Sequence, residues 1–121
     1  MAAGRLDLLI EKGSTFQKTL TWKTRDPSTG LESLVDLTSY SARAQFRETH
    51  EDPLAFFSLT EENGGIELNT QTGEITLKIP AETSSQVPYS SGVWDLEVFQ
   101  GTDTVIRLVE GKVRLTPEVT R

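Results

Sequence analysis

The chain has 121 residues, 36% hydrophobic and 25% charged, with a formal net charge of -6 and no cysteine. That length suits one domain able to bury about two-thirds of its unfolded surface, and without disulfides or thiolate metal sites its stability has to come from packing. The acidic balance excludes a nucleic-acid interface built on clustered Lys and Arg and leaves protein partners by elimination.

The opening MAAGRLDLLIEKG carries an apolar run interrupted by Asp7, too short for a signal peptide or a membrane span, so the mature protein is expected to be the encoded one. Within it Arg5 to Glu11 places Leu6, Leu8 and Ile10 on one face, which predicts a first strand broken by Gly13. Thr15 to Trp22 alternates Phe16, Lys18, Leu20 and Trp22 against Gln17, Thr19 and Thr21, a second strand in which Lys18 has to lie at a sheet edge or snorkel. Thr24 to Leu34, with its Asp-Pro and Thr-Gly pairs, predicts a protruding loop or an irregular hairpin tip, a candidate contact surface.

Val35 to Thr38 forms a short apolar step into a third strand, Ser41 to Glu48, with Ala42, Ala44 and Phe46 inward and Arg43, Gln45 and Arg47 outward. After the polar loop Thr49 to Pro53, Leu54 to Leu59 reads as a short strand in which Phe56 or Phe57 takes the core and the other stays near the surface. The Asn63-Gly64 pair predicts a tight turn before a minimal strand, Ile66 to Leu68, and Thr70 to Gly73 turns again. Gly73 to Ile79 is the cleanest alternation mid-chain, and Pro80 at a first helical position with Glu82 predicts one short helical turn over 80–87.

The last third, Gly92 to Leu115, predicts a long antiparallel hairpin with Trp94, Leu96 and Val98 inward and a turn at Gln100 to Asp103. The inward parity switches between Ile106, Leu108 and Val109, Val113, Leu115, which predicts a bulge or change of sheet at Glu110-Gly111. Six residues follow, Thr116, Pro117, Glu118, Val119, Thr120 and Arg121, an extended tail reaching about 20 Å at roughly 3.3 Å per residue. This tail is the candidate partner-binding segment, weighed evenly against a frayed terminus. About eight strands with turn signals every 8 to 12 residues predict an all-β, antiparallel, immunoglobulin-like β-sandwich over residues 1–121, with Trp22 and Trp94 filling the centre.

No residue set carries catalysis. His50 is the only histidine and sits with Glu48, Glu51 and Asp52 in a polar loop, where solvation outweighs metal binding; an enzyme would need His50 brought to an acid and a hydroxyl. Glu61 and Glu62 are sequence neighbours rather than carboxylates facing across a cleft. Asn63-Gly64-Gly65 lacks the Lys-Ser or Lys-Thr of a phosphate loop. The expectation is no enzyme, no cofactor and no metal. A carbohydrate- or cell-surface-binding module is the alternative to an assembly protein, and it predicts exposed aromatics drawn from Tyr40, Phe56, Phe57 and Tyr89.

Ile10-Glu11-Lys12-Gly13-Ser14-Thr15-Phe16, Val35 to Arg43, Asn63-Gly64-Gly65-Ile66 with Gly73 to Leu77, and the ending Gly111 to Arg121 carry a resemblance that spans nearly the full length. In these residues the chain resembles small tail and baseplate proteins of tailed bacteriophages, in particular the β-sandwich domain at the N-terminus of phage baseplate upper proteins. The resemblance implies a multi-copy structural virion protein, assembled in the host cytoplasm as part of a symmetric homo-oligomer. Its implied partners are other tail, baseplate or fibre proteins, with no nucleic acid and no membrane. The long coiled-coil and fibre-binding region of the larger baseplate proteins has no counterpart in these residues, so a joining role in tail, neck or baseplate stands beside a fibre-adaptor role.

Overall fold

The computed structural model describes residues 4–25, 27–34, 37–102 and 104–117. The strands are β1 (Gly4–Arg5), β2 (Leu8–Glu11), β3 (Phe16–Thr21), β4 (Lys23–Arg25), β5 (Glu32–Leu34), β6 (Ser41–Arg47), β7 (Phe57–Thr60), β8 (Ile66–Asn69), β9 (Glu74–Ile79), β10 (Ser91–Gln100) and β11 (Thr104–Thr116), with one helix, α1 (Ala81–Ser85), between β9 and β10. The larger sheet runs β1-β11-β10-β6-β7, with β2 also on β11, and the smaller runs β3-β9-β8. The β4–β5 ribbon belongs to neither sheet, and it is the irregular hairpin expected over Thr24 to Leu34. Among the described residues no helix is long and apolar enough to cross a membrane.

One core joins the two sheets. Ile10, Phe46, Leu96, Val98 and Leu115 from the larger meet Ile66, Ile75, Leu77 and Ile79 from the smaller, all at 2% exposure or less. The alternation of each strand puts these side chains on one face, which is why the expected inward residues of β6, β9 and β10 are the buried ones. Trp94 stacks on Phe46 at 5.7 Å, and Phe57 meets Phe46 edge-on at 5.5 Å. Trp22 does not reach the centre: it is half-buried and packs edge-on against Tyr40 at 5.4 Å. Lys18 lies exposed on β3, an edge strand of the smaller sheet.

Most pairs are antiparallel, as expected, but the first strand pairs parallel with β11, Gly4 facing Val109 and Leu8 facing Val113 at a constant offset. The expected strand over Arg5 to Glu11 is therefore one line of chain, interrupted at Leu6 and Asp7. There the Leu6 carbonyl turns inward to accept the Trp94 indole N–H at 2.8 Å. The Asp7 carboxylate takes its place in the ladder and accepts the Lys112 N–H at 2.9 Å. A Cβ at residue 111 would run into the Leu6 carbonyl, so Gly111 is required by this close approach.

Gly111 is accordingly not the bulge. It pairs in register with Trp94, and the shift falls where Leu96 faces Val109 and Glu97 faces Arg107, which leaves Leu108 as the extra residue. A bulge at Leu108 reverses the inward parity before Val109, and parity alone could not place it more closely.

Three other boundaries differ from expectation. Pro80 is the residue before α1, with φ -62° and ψ 151°, rather than its first helical residue. The strand expected from Leu54 begins at Phe57, because the Asp52 carboxylate accepts the Leu54 N–H at 3.0 Å and holds 52–54 in a turn. Thr116 is the last residue of β11, paired with Glu11, and not the first of a tail.

Candidate functional site

The tail segment is the starting point, and its anchor is well defined. Beside β2, Thr116 is fixed by the Lys12 N–H, which donates to its carbonyl at 2.9 Å. Pro117 is exposed, and Glu118, Val119, Thr120 and Arg121 lie outside the described residues. The parallel pairing that absorbs Thr116 joins chain ends more than a hundred residues apart, which no local pattern announces.

Where β11 ends, an open cleft of about 740 Å³ is lined by Asp7, Glu48, Ser91, Lys112, Arg114 and Pro117, among others. Lys112 and Arg114 project from the solvent face of β11 and form no ion pair among the described residues. Elsewhere on this face Arg43 pairs with Glu97 at 2.9 Å, Arg107 lies 3.5 Å from Asp95 and 3.4 Å from Glu110, and Arg47 donates to the Asp52 carbonyl and the Gln45 Oε1 rather than to a carboxylate. Arg43 also sits over the Phe99 ring, 4.6 Å from its centroid. Partial burial raises the Asp95 carboxyl above its ordinary value, with Glu97 adding to the effect and Arg107 opposing it.

His50 borders a small hollow of about 200 Å³ with Arg47, Asp95, Arg107 and Glu110. Among the described residues no serine or threonine lines it, so His50 has acids beside it there and not the hydroxyl of a nucleophilic site. Its loop partner Asp52 is occupied elsewhere, its carbonyl accepting from Arg47 at 2.9 Å and its carboxylate from Leu54. Among the described residues no three His, Cys, Asp or Glu side chains gather as metal ligands. Glu61 holds the fold, accepting the Ala42 N–H at 3.0 Å.

The aromatic candidates for a sugar platform are engaged with one another. Phe57 is buried at 5% exposure, Phe56 packs on Phe57 at 5.3 Å and on Tyr89 at 5.4 Å, and Tyr40 packs on Trp22. Phe57 belongs to the core, and the rings of Phe56, Tyr40 and Tyr89 are half-buried at its margin rather than an exposed row.

Two features of the sheet edges went unread in the sequence. Asn63, seen only as a turn residue, reaches back to β7: its Nδ2 donates to the Ser58 carbonyl at 2.7 Å, and its Oδ1 accepts the Thr60 N–H at 3.0 Å. The Ser58 carbonyl and the Thr60 N–H are thereby bonded on the side away from β6. At the other edge Leu9 of β2 stands 54% exposed. Its signal in the sequence was the odd member of Leu8-Leu9-Ile10, an apolar residue on the outward parity.

Comparison of the chain with protein-family models and with curated proteins found no match to either.

Proposed function

We propose that this protein is an immunoglobulin-like sandwich module of a tailed bacteriophage virion, a multi-copy joining or adaptor subunit of the tail or baseplate that binds neighbouring tail or fibre proteins. The observation that carries the reading is the exit of β11. The longest strand of the sandwich delivers the chain at Thr116 to the rim of an open cleft, with two cations on the adjoining face, Lys112 and Arg114, that form no ion pair among the described residues. A contact segment leaving a rigid domain beside a charged, open surface is suited to holding a neighbour.

The residues behind the phage resemblance occupy positions that set this architecture. Ile10 to Phe16 carries the chain from one sheet to the other through Gly13 at φ 83°, and Gly64 and Gly73 make the turns flanking β8 at φ 79° and 70°. Gly111 admits the first strand, and Lys112 to Thr116 complete β11. They support a shared fold plan and, through it, a virion role.

The test is fractionation of particles from the natural source, followed by mass spectrometry and immunogold microscopy. The reading expects the chain in purified particles in many copies at one location on the tail. Its absence from particles, with the protein recovered free, would sink the reading.

A further inference from the structure

The Asn63-Gly64 turn carries a chemistry that its own hydrogen bonds hold in check. Gly64 sits at φ 79°, a conformation that glycine adopts freely, and both residues are exposed to water. A glycine after an asparagine also leaves the intervening peptide nitrogen unshielded by any side chain, the arrangement in which that nitrogen reaches the asparagine Cγ most easily. The turn and the lability therefore come from the same residue. Asn69, the other asparagine of the chain, is followed by Thr70, whose branched side chain shields the nitrogen.

In the folded chain each reacting group is engaged elsewhere. The nucleophile would be the Gly64 nitrogen, and its N–H donates to the Glu61 carbonyl at 3.3 Å. The leaving group would be the Asn63 Nδ2, which donates to the Ser58 carbonyl at 2.7 Å. Oδ1, on the carbon under attack, accepts from the Thr60 and Gly65 N–H groups at 3.0 and 2.9 Å, and the Asn63 N–H donates to the Thr60 Oγ1 at 3.1 Å. Joining the Gly64 nitrogen to Cγ has to break the bonds to Glu61 and Ser58 and turn the amide away from β7.

We infer that Asn63 is a site of spontaneous deamidation gated by the opening of this turn. The Gly64 nitrogen gives its proton to solvent and attacks Cγ. The Cγ–Nδ2 bond then breaks, and Nδ2 takes a proton from solvent and leaves as ammonia. Water opens the resulting succinimide at one or the other carbonyl, giving aspartate or isoaspartate. The sum is water consumed and ammonia released, with no oxidation or reduction. Neither product keeps the Nδ2 donor: aspartate sets a carboxylate against the Ser58 carbonyl, and isoaspartate also lengthens the backbone of the turn by a methylene. The outward Ser58 carbonyl of an edge strand is thereby uncovered in a one-way step.

The test follows residue 63 of the full-length protein by peptide-resolved mass spectrometry and an isoaspartate assay, in native buffer and in urea at the same pH and temperature. Conversion at Asn63 should be slower in the folded protein by about tenfold or more, because only the fraction with the turn open reacts. Asn69 should stay intact in the same samples. Equal rates overturn the gate, and no conversion in urea overturns the site. Gly64→Ala, whose added Cβ meets no atom within 4 Å, should all but abolish the conversion in urea; conversion at the wild-type rate overturns the role given to Gly64. Asn63→Asp, the product made directly, should unfold at a lower urea concentration than wild type, and an unchanged midpoint overturns the consequence for β7.

Discussion

The two edges of the larger sheet are strands of equal length finished in opposite ways. At β7, Asn63 stands in for a neighbouring strand, donating to Ser58 and accepting from Thr60 and from Gly65 at 2.9 Å. At β2 no side chain among the described residues performs that service, and an exposed leucine lies between two carboxylates. The difference teaches where the fold tolerates contact. One side chain three residues beyond a strand occupies the outward Ser58 carbonyl and Thr60 N–H, a cover that β2 has no counterpart to among the described residues.

The largest expected effect comes from removing what holds the first strand in place. Trp94 is 3% exposed, stacks on Phe46 and gives its N–H to Leu6. Trp94→Ala should cost about 3 to 5 kcal/mol in chemical denaturation, and an unchanged transition would remove Trp94 from the core. Gly111→Ala should cost about 1 to 3 kcal/mol, because the new methyl displaces the Leu6 backbone; amide exchange should show the loss concentrated in β1 and β2. A loss spread evenly over the molecule would break the idea that this edge is a separately anchored element.

Asn63→Ala addresses the β7 edge directly. Exposure lets water replace part of the lost bonding, so the expected loss is about 1 kcal/mol, accompanied by new self-association through β7. A variant that is destabilised but strictly unaltered in association would mean that Asn63 serves only the turn. The smallest effect concerns the face between the edges. The Asp95 carboxyl is raised in the folded chain, so folding favours its protonated form, and wild-type stability should fall as pH rises from the ordinary carboxyl value of 3.8 through the raised one. Asp95→Asn should lose that decline, which thermal melts across the acid range would reveal; parallel curves for the two proteins would contradict it.

Much of this fold is written in local alternation. Ala42, Ala44 and Phe46, then Ile75, Leu77 and Ile79, then Trp94, Leu96 and Val98 are inward by period two, and all are buried. What escaped depends on chain brought from afar. The parity switch in β11 was visible, but its position at Leu108 rather than Glu110-Gly111 is set by the pairing with β10 and by Leu6 crossing against Gly111. Thr116 read as tail because its partner, Glu11, is at the other end of the chain. Of the sites raised from the sequence, the ending Thr116 to Arg121 is described only as far as Pro117, whereas the edge of β2 emerges only once the first strand is laid parallel on β11.

Amide hydrogen exchange of Leu9 and Thr60, read residue by residue, tests the contrast between the two edges most directly. The account predicts that Thr60, bonded to Asn63, is protected. Leu9, whose N–H points away from β11, should exchange freely. Protection of Leu9, or free exchange at Thr60, would contradict it.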